Sequence, residues 1–139
     1  MMRRAFFVLS ACLFIGAISG AQAASVSFVA HLLGSGMVPA TESDAFAEAQ
    51  FSYDGALHEL QYYINYDGVA PAKVDLHGPA GAGEKAAPLL DIPLSESPIS
   101  GTAKLTPGQE SELLAGKMYL DIHSQKYPDG EIRGQIVRQ

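Results

Sequence analysis

Asp75, His77, Asp121 and His123 form two acid-x-histidine pairs, Asp75-Leu76-His77 and Asp121-Ile122-His123. On a β-strand the i, i+2 spacing turns both polar side chains of a pair to one face. Val74, Leu76, Leu120 and Ile122 then point the other way, into a core. Two such strands side by side bring two imidazoles and two carboxylates onto one patch. Imidazole nitrogen with carboxylate oxygen suits zinc(II) or copper(II). Two ligands of one ion lie within ~4.5 Å of each other, and a His77–His123 separation beyond ~8 Å excludes a shared ion. The same residues also have a role without any ion. Each histidine can hydrogen-bond to the other's loop and pin a turn, the aspartates orienting the rings or capping the turns. That is the expected role, and a metal centre is its alternative. His31, on the polar face of the first strand, is a reserve ligand; it and His58, just after a hairpin, read as solvated side chains.

Other chemistries lack their residues. The only cysteine is Cys12, and no serine sits in a G-x-S-x-G elbow, so no activated nucleophile is built in. A glycosidase needs two carboxyls across a cleft, and nothing in the sequence signals a cleft. Pro79 to Glu84 is glycine-rich but lacks the spacing and basic setting of a phosphate-binding loop, and reads as a flexible connection. Of the tyrosines, Tyr62 and Tyr66 alternate with the core, which leaves Tyr63, Tyr119 and Tyr127 as a thin aromatic surface. A non-enzymatic chain is expected.

The elements that must position the four residues are short strands. Ser25 to Leu32 alternates, with Val26, Phe28, Ala30 and Leu32 on one face. Ala45 to Tyr53 alternates again, and Asp54-Gly55 signals a hairpin into Leu57 to Tyr66. Lys73 to Gly78 and Ala86 to Ile92 follow, then a loop ending in a short strand over Ile99 to Leu105. Thr106-Pro107-Gly108-Gln109 supplies a cap oxygen, a proline at the first helical position and the glutamine of a capping box. One short helix near 107–115 therefore runs to Gly116. Met118 to His123 is a further strand, and after Tyr127-Pro128-Asp129-Gly130 the chain returns over Ile132 to Ile136. Glu131 and Arg133 share the polar side of that last hairpin and are placed to pair. These elements define an all-β fold: an antiparallel, Greek-key-like sandwich of the immunoglobulin or superoxide-dismutase kind.

The closing run Tyr119-x-Asp121-x-His123, followed after six intervening residues by Gly130-Glu131-Ile132-Arg133-Gly134-Gln135-Ile136, resembles the last motif of the CHRD domain. That module is repeated in chordin and found singly in exported microbial proteins. Phe28, Ala30, Leu32 and Gly34 resemble its opening F-x-A-x-L-x-G, and Val38-Pro39 its V-P. Met37 stands where the resemblance implies an acid and Ala40 where it implies a second proline, so other contacts must hold that loop. Gly116, Tyr119, Asp121 and His123 resemble G-x-x-Y-x-N-x-H. Asp75-Leu76-His77 resembles an H-I-H in which Asp75 replaces one imidazole, a change that weakens a copper site. The resemblance implies one CHRD domain over residues 24–139, with a sandwich similar to that of copper/zinc superoxide dismutase. It implies a binding or interaction role toward a protein or envelope component. Copper or zinc binding through His77, His123, Asp75 and Asp121 is the alternative, and superoxide dismutation, short of histidines here, a more distant one.

Arg3 and Arg4, an apolar run from Ala5 to Ile18 and Ala21-Gln22-Ala23 have the pattern of a secretory leader over residues 1–23. Export to the periplasm or outside the cell is expected, with a lipid-anchored Cys12 as the lesser alternative. Cleavage near Ala23 removes the only cysteine, so disulfides are excluded, and no later stretch has the ~20 apolar residues of a membrane span. Loss of Arg3 and Arg4 also takes the net charge from −6 to −8. A chain this acidic, without basic clusters, is a poor partner for nucleic acid.

Overall fold

The computed structural model describes residues 24–139; the expected leader and Cys12 lie outside the described residues. Alternation along the sequence becomes burial. In β1 (Val26–Leu33) Phe28, Ala30 and Leu32 are buried; in β2 (Phe46–Asp54) Ala47, Ala49, Phe51 and Tyr53; in β3 (Glu59–Asp67) Leu60, Tyr62 and Ile64. The short strands β4 (Lys73–His77), β5 (Pro88–Ile92) and β6 (Ile99–Lys104) add Val74, Leu76, Ile92 and Ile99 to the same core. Helix α1 (Pro107–Leu114) contributes Leu113, β7 (Tyr119–His123) Leu120 and Ile122, and β8 (Ile132–Gln135) Ile132; the two-residue β9 (Val137–Arg138) ends the chain. Each large aliphatic side chain so buried stabilises the fold by about 1.5–3 kcal/mol relative to exposure.

The strands form one antiparallel path, β5-β4-β7-β8-β1-β2-β3-β6, with β9 on the free part of β1. The path has two halves. β1, β2, β3 and β6 pair over long registers, as do β4, β5, β7 and β8, but the halves meet at one bridge, Leu33 to Arg133. The sheet curls at this seam so that the apolar faces of both halves share one core. The connections β3–β4 and β5–β6 each cross from one half to the other, which gives the key-like topology. The fold is all-β with one short helix, as expected.

Local chemistry sets the ends. Thr106 Oγ1 accepts from the Gln109 N–H at 3.2 Å, and Gln109 Oε1 accepts from the Thr106 N–H at 3.0 Å, the capping box read from the sequence. The hairpin at Asp54-Gly55 is present, with its loop extended to residues 55–58. Asp54 Oδ1 accepts from the N–H groups of Ala56 and Leu57, and His58 takes the left-handed φ of 52°. At the seam, the backbone of His31 lies where a side chain on residue 134 would begin, so only Gly134 fits there.

Candidate metal centre

Strands β4 and β7 are antiparallel neighbours in the register Asp75↔Asp121, with Lys73 opposite His123 and His77 opposite Tyr119. The two aspartates therefore face each other, and the histidines stand diagonally on either side. Val74, Leu76, Leu120 and Ile122 hold the strands down by entering the core. One donor atom from each of Asp75, His77, Asp121 and His123 lies within 4.8 Å of all the others. Against the ~4.5 Å within which two ligands of one ion lie, the cluster fits after tightening by roughly 0.3 Å at its widest.

Both histidines aim the same nitrogen inward. His77 Nδ1 donates to the carbonyl of Ala86 at 2.9 Å and His123 Nδ1 to that of Pro128 at 2.8 Å. Each ring thus pins the loop that follows its own strand, rather than the other's loop as the sequence suggested. A carbonyl only accepts, so these bonds place a proton on each Nδ1 and turn Nε2 to the centre. Both Nε2 atoms are 3.0 Å from the same oxygen, Asp121 Oδ1. Asp75 Oδ2 is 3.7 Å from His77 Nε2 and 3.4 Å from His123 Nε2. Loop-pinning and convergence on a centre are therefore done by the same two rings.

The polar patch expected from alternation is in fact a covered pocket floor: Asp75 is only 1% exposed. Among the described residues its Oδ1 has no hydrogen-bond partner, while Oδ2 meets the Lys73 ammonium at 3.1 Å. Burial, then the Asp91 carboxyl on β5, push the Asp75 carboxyl above its ordinary range, against the pull of Lys73. For His77, burial acts to lower the pKa, but the Asp121 carboxylate, the Ala86 carbonyl and Asp75 outweigh it and hold the ring above its ordinary value.

A second tier fixes the floor, and the sequence reading missed most of it. Tyr119 stacks on His77, ring centroids 4.7 Å apart at 5°. The Arg133 guanidinium lies over the Tyr119 ring, 3.5 Å from its centroid. Arg133 also donates to the carbonyls of Glu84 at 2.5 Å and Gly81 at 3.0 Å, and Gln135 to those of Ala80 and Gly116. Pro79 to Glu84 is consequently a tied loop and not a flexible connection. Glu131 and Arg133 do not pair with each other. Glu131 accepts from the Ser43 hydroxyl at 2.7 Å, and its carbonyl from Thr41 at 2.7 Å. Those two bonds hold the 37–43 loop, the task left open by Met37 in place of an acid.

Above the floor a cleft of about 770 Å³ opens between the loops at 37–42 and 126–130. His77, Asp121 and His123 line it; Asp75 does not. This cleft had no counterpart in the sequence reading, because loops distant in sequence build both walls. His31 stands on the outer face of β1 opposite Glu48, and His58 contacts Glu110 at 3.3 Å; neither joins the cluster.

An antiparallel curled sheet with a histidine–aspartate floor beneath a cleft is thus the class that fold and site define. The chain matches the CHRD domain over residues 28–136 and belongs to the CHRD domain family. No curated protein and no solved structure matches it. No helix among the described residues is long and apolar enough to cross a membrane.

Proposed function

We propose that this CHRD domain is an exported, non-enzymatic binding protein whose centre takes one divalent transition-metal ion, copper or zinc. The observation that carries the reading is the pair of imidazoles with tautomers fixed by backbone carbonyls. Their two Nε2 atoms converge on one carboxylate oxygen at 3.0 Å. Neutral rings so arranged set acceptor against acceptor, and a cation between them turns that repulsion into ligation. The buried Asp75 oxygen, without a hydrogen-bond partner among the described residues, adds negative charge that Lys73 offsets only in part. Export rests on the leader pattern of residues 1–23. The cleft above the floor favours a second component to the role, an envelope or protein partner that reaches the bound ion.

Isothermal calorimetry of the mature chain with zinc(II) and copper(II) tests the metal. One ion per chain is expected, with affinity falling by at least ~10-fold in His77→Ala and His123→Ala. Equal affinity in both variants would remove these ligands.

A further inference from the structure

We infer that the ion is held by three residues, His77, Asp121 and His123, and keeps one coordination position open to the cleft for a small anionic ligand; this rests on the metal reading above. Three observations separate Asp75 from the other members of the cluster. Its Oδ2, the oxygen that faces the imidazoles, is already engaged by Lys73 at 3.1 Å. Lys73 also reaches Asp91 at 3.7 Å, so the ammonium is bracketed by two acids on neighbouring strands. And Asp75 stands outside the cleft that the other three line.

Asp75 therefore acts as a paired charge behind the centre and not as the fourth donor. A closed set of four protein ligands marks structural zinc, whereas three plus an open position mark sites that receive an exogenous ligand. The charge of the set decides what enters. Two neutral imidazoles and one carboxylate leave a divalent ion with one net positive charge, which draws an anion. Lys85 and Lys126 line the same cleft and make no ion pair among the described residues. Glu42 and Asp129 also line it and offset the two lysines, while Arg133, the third cation of the lining, is engaged by the Tyr119 ring and the carbonyls of Gly81 and Glu84, so the ion supplies the attraction. The cleft lies within the size range of small-ligand pockets, ~300–1,000 Å³, which leaves room for more than water.

The test uses the mature chain loaded with copper(II), with azide as the probe anion. Titrated azide is expected to give a saturable charge-transfer band while copper stays bound in a 1:1 ratio. Asp75→Asn is expected to keep metal affinity within ~10-fold of the parent, while Asp121→Asn loses at least ~100-fold. Absence of any azide band on the loaded parent chain, or an Asp75→Asn loss equal to that of Asp121→Asn, overturns the open position. Failure of the parent chain to bind copper or zinc at all overturns the metal reading itself, and this inference with it. The azide titration needs no variant, so a variant that fails to fold leaves the inference open to refutation.

Discussion

Asp75 lies directly opposite Asp121 across the β4–β7 pair, each almost fully buried. Like charges directly opposed in a sheet destabilise it, and burial adds a desolvation cost that Lys73, half in solvent, offsets only in part. Asp75→Asn keeps the shape and removes one charge. In the presence of a chelator it is expected to raise stability by about 0.5–1 kcal/mol, read as a higher urea midpoint at unchanged slope. A fall of similar size would mean that the Lys73 contact outweighs the repulsion.

Bound metal should reverse that cost. An ion that binds only the folded chain adds about 2.7 kcal/mol at a hundredfold excess over Kd. Zinc is therefore expected to raise the thermal midpoint by several degrees, with the gain abolished by chelator. His77→Ala and His123→Ala should show no gain, because each removes a nitrogen whose partner bond to Ala86 or Pro128 fixes its direction. A rise of equal size in the double variant would place the ion elsewhere.

Arg133 ties the site to the fold. Its guanidinium covers Tyr119, which stacks on His77, and its donors hold the carbonyls of Gly81 and Glu84. A lysine keeps the charge but has neither the planar face nor the fork. Arg133→Lys is expected to cost about 2–3 kcal/mol and to speed amide exchange in residues 80–86 selectively. Uniform acceleration across the sheet would instead report global destabilisation.

How much of this was legible follows from what each signal measures. Alternation is a local property of strands, so Val74, Leu76, Leu120 and Ile122 were placed inward and the four polar residues on the opposite face, as found; that this face is covered rather than open to solvent is not a local property and was missed. The capping box at Thr106 and Gln109 was equally local. Long-range relations left weaker traces. The tying of the 79–84 loop depends on Arg133 and Gln135, some fifty positions away, and glycine-rich composition by itself signals only freedom. The motif Gly130-Glu131-Ile132-Arg133-Gly134 was recognisable as a pattern, but its reasons are tertiary. Gly134 makes room for the His31 backbone, Gly130 adopts a φ of 121°, and Glu131 anchors a loop ninety residues earlier through Thr41. The cleft was invisible because its walls come from two loops that meet only in the fold.

Tyr53 gives a pH signature independent of the metal. Burial, then the neighbouring Glu110 carboxylate, raise its phenol to about 12. In the unfolded chain the same group titrates near ~10. Between these values the unfolded chain sheds the proton while the folded chain keeps it, so the folded state binds more protons and stability falls as pH rises. The contribution is fully present below about pH 10 and is lost as pH climbs toward about 12. Tyr53→Phe removes the titrating group while leaving the ring in the core, so its stability should decline less than that of the parent over this window. Urea midpoints at about pH 9 and about pH 11 for both chains measure the difference. Equal declines in the two would show that Tyr53 ionises as readily in the folded core as in the unfolded chain.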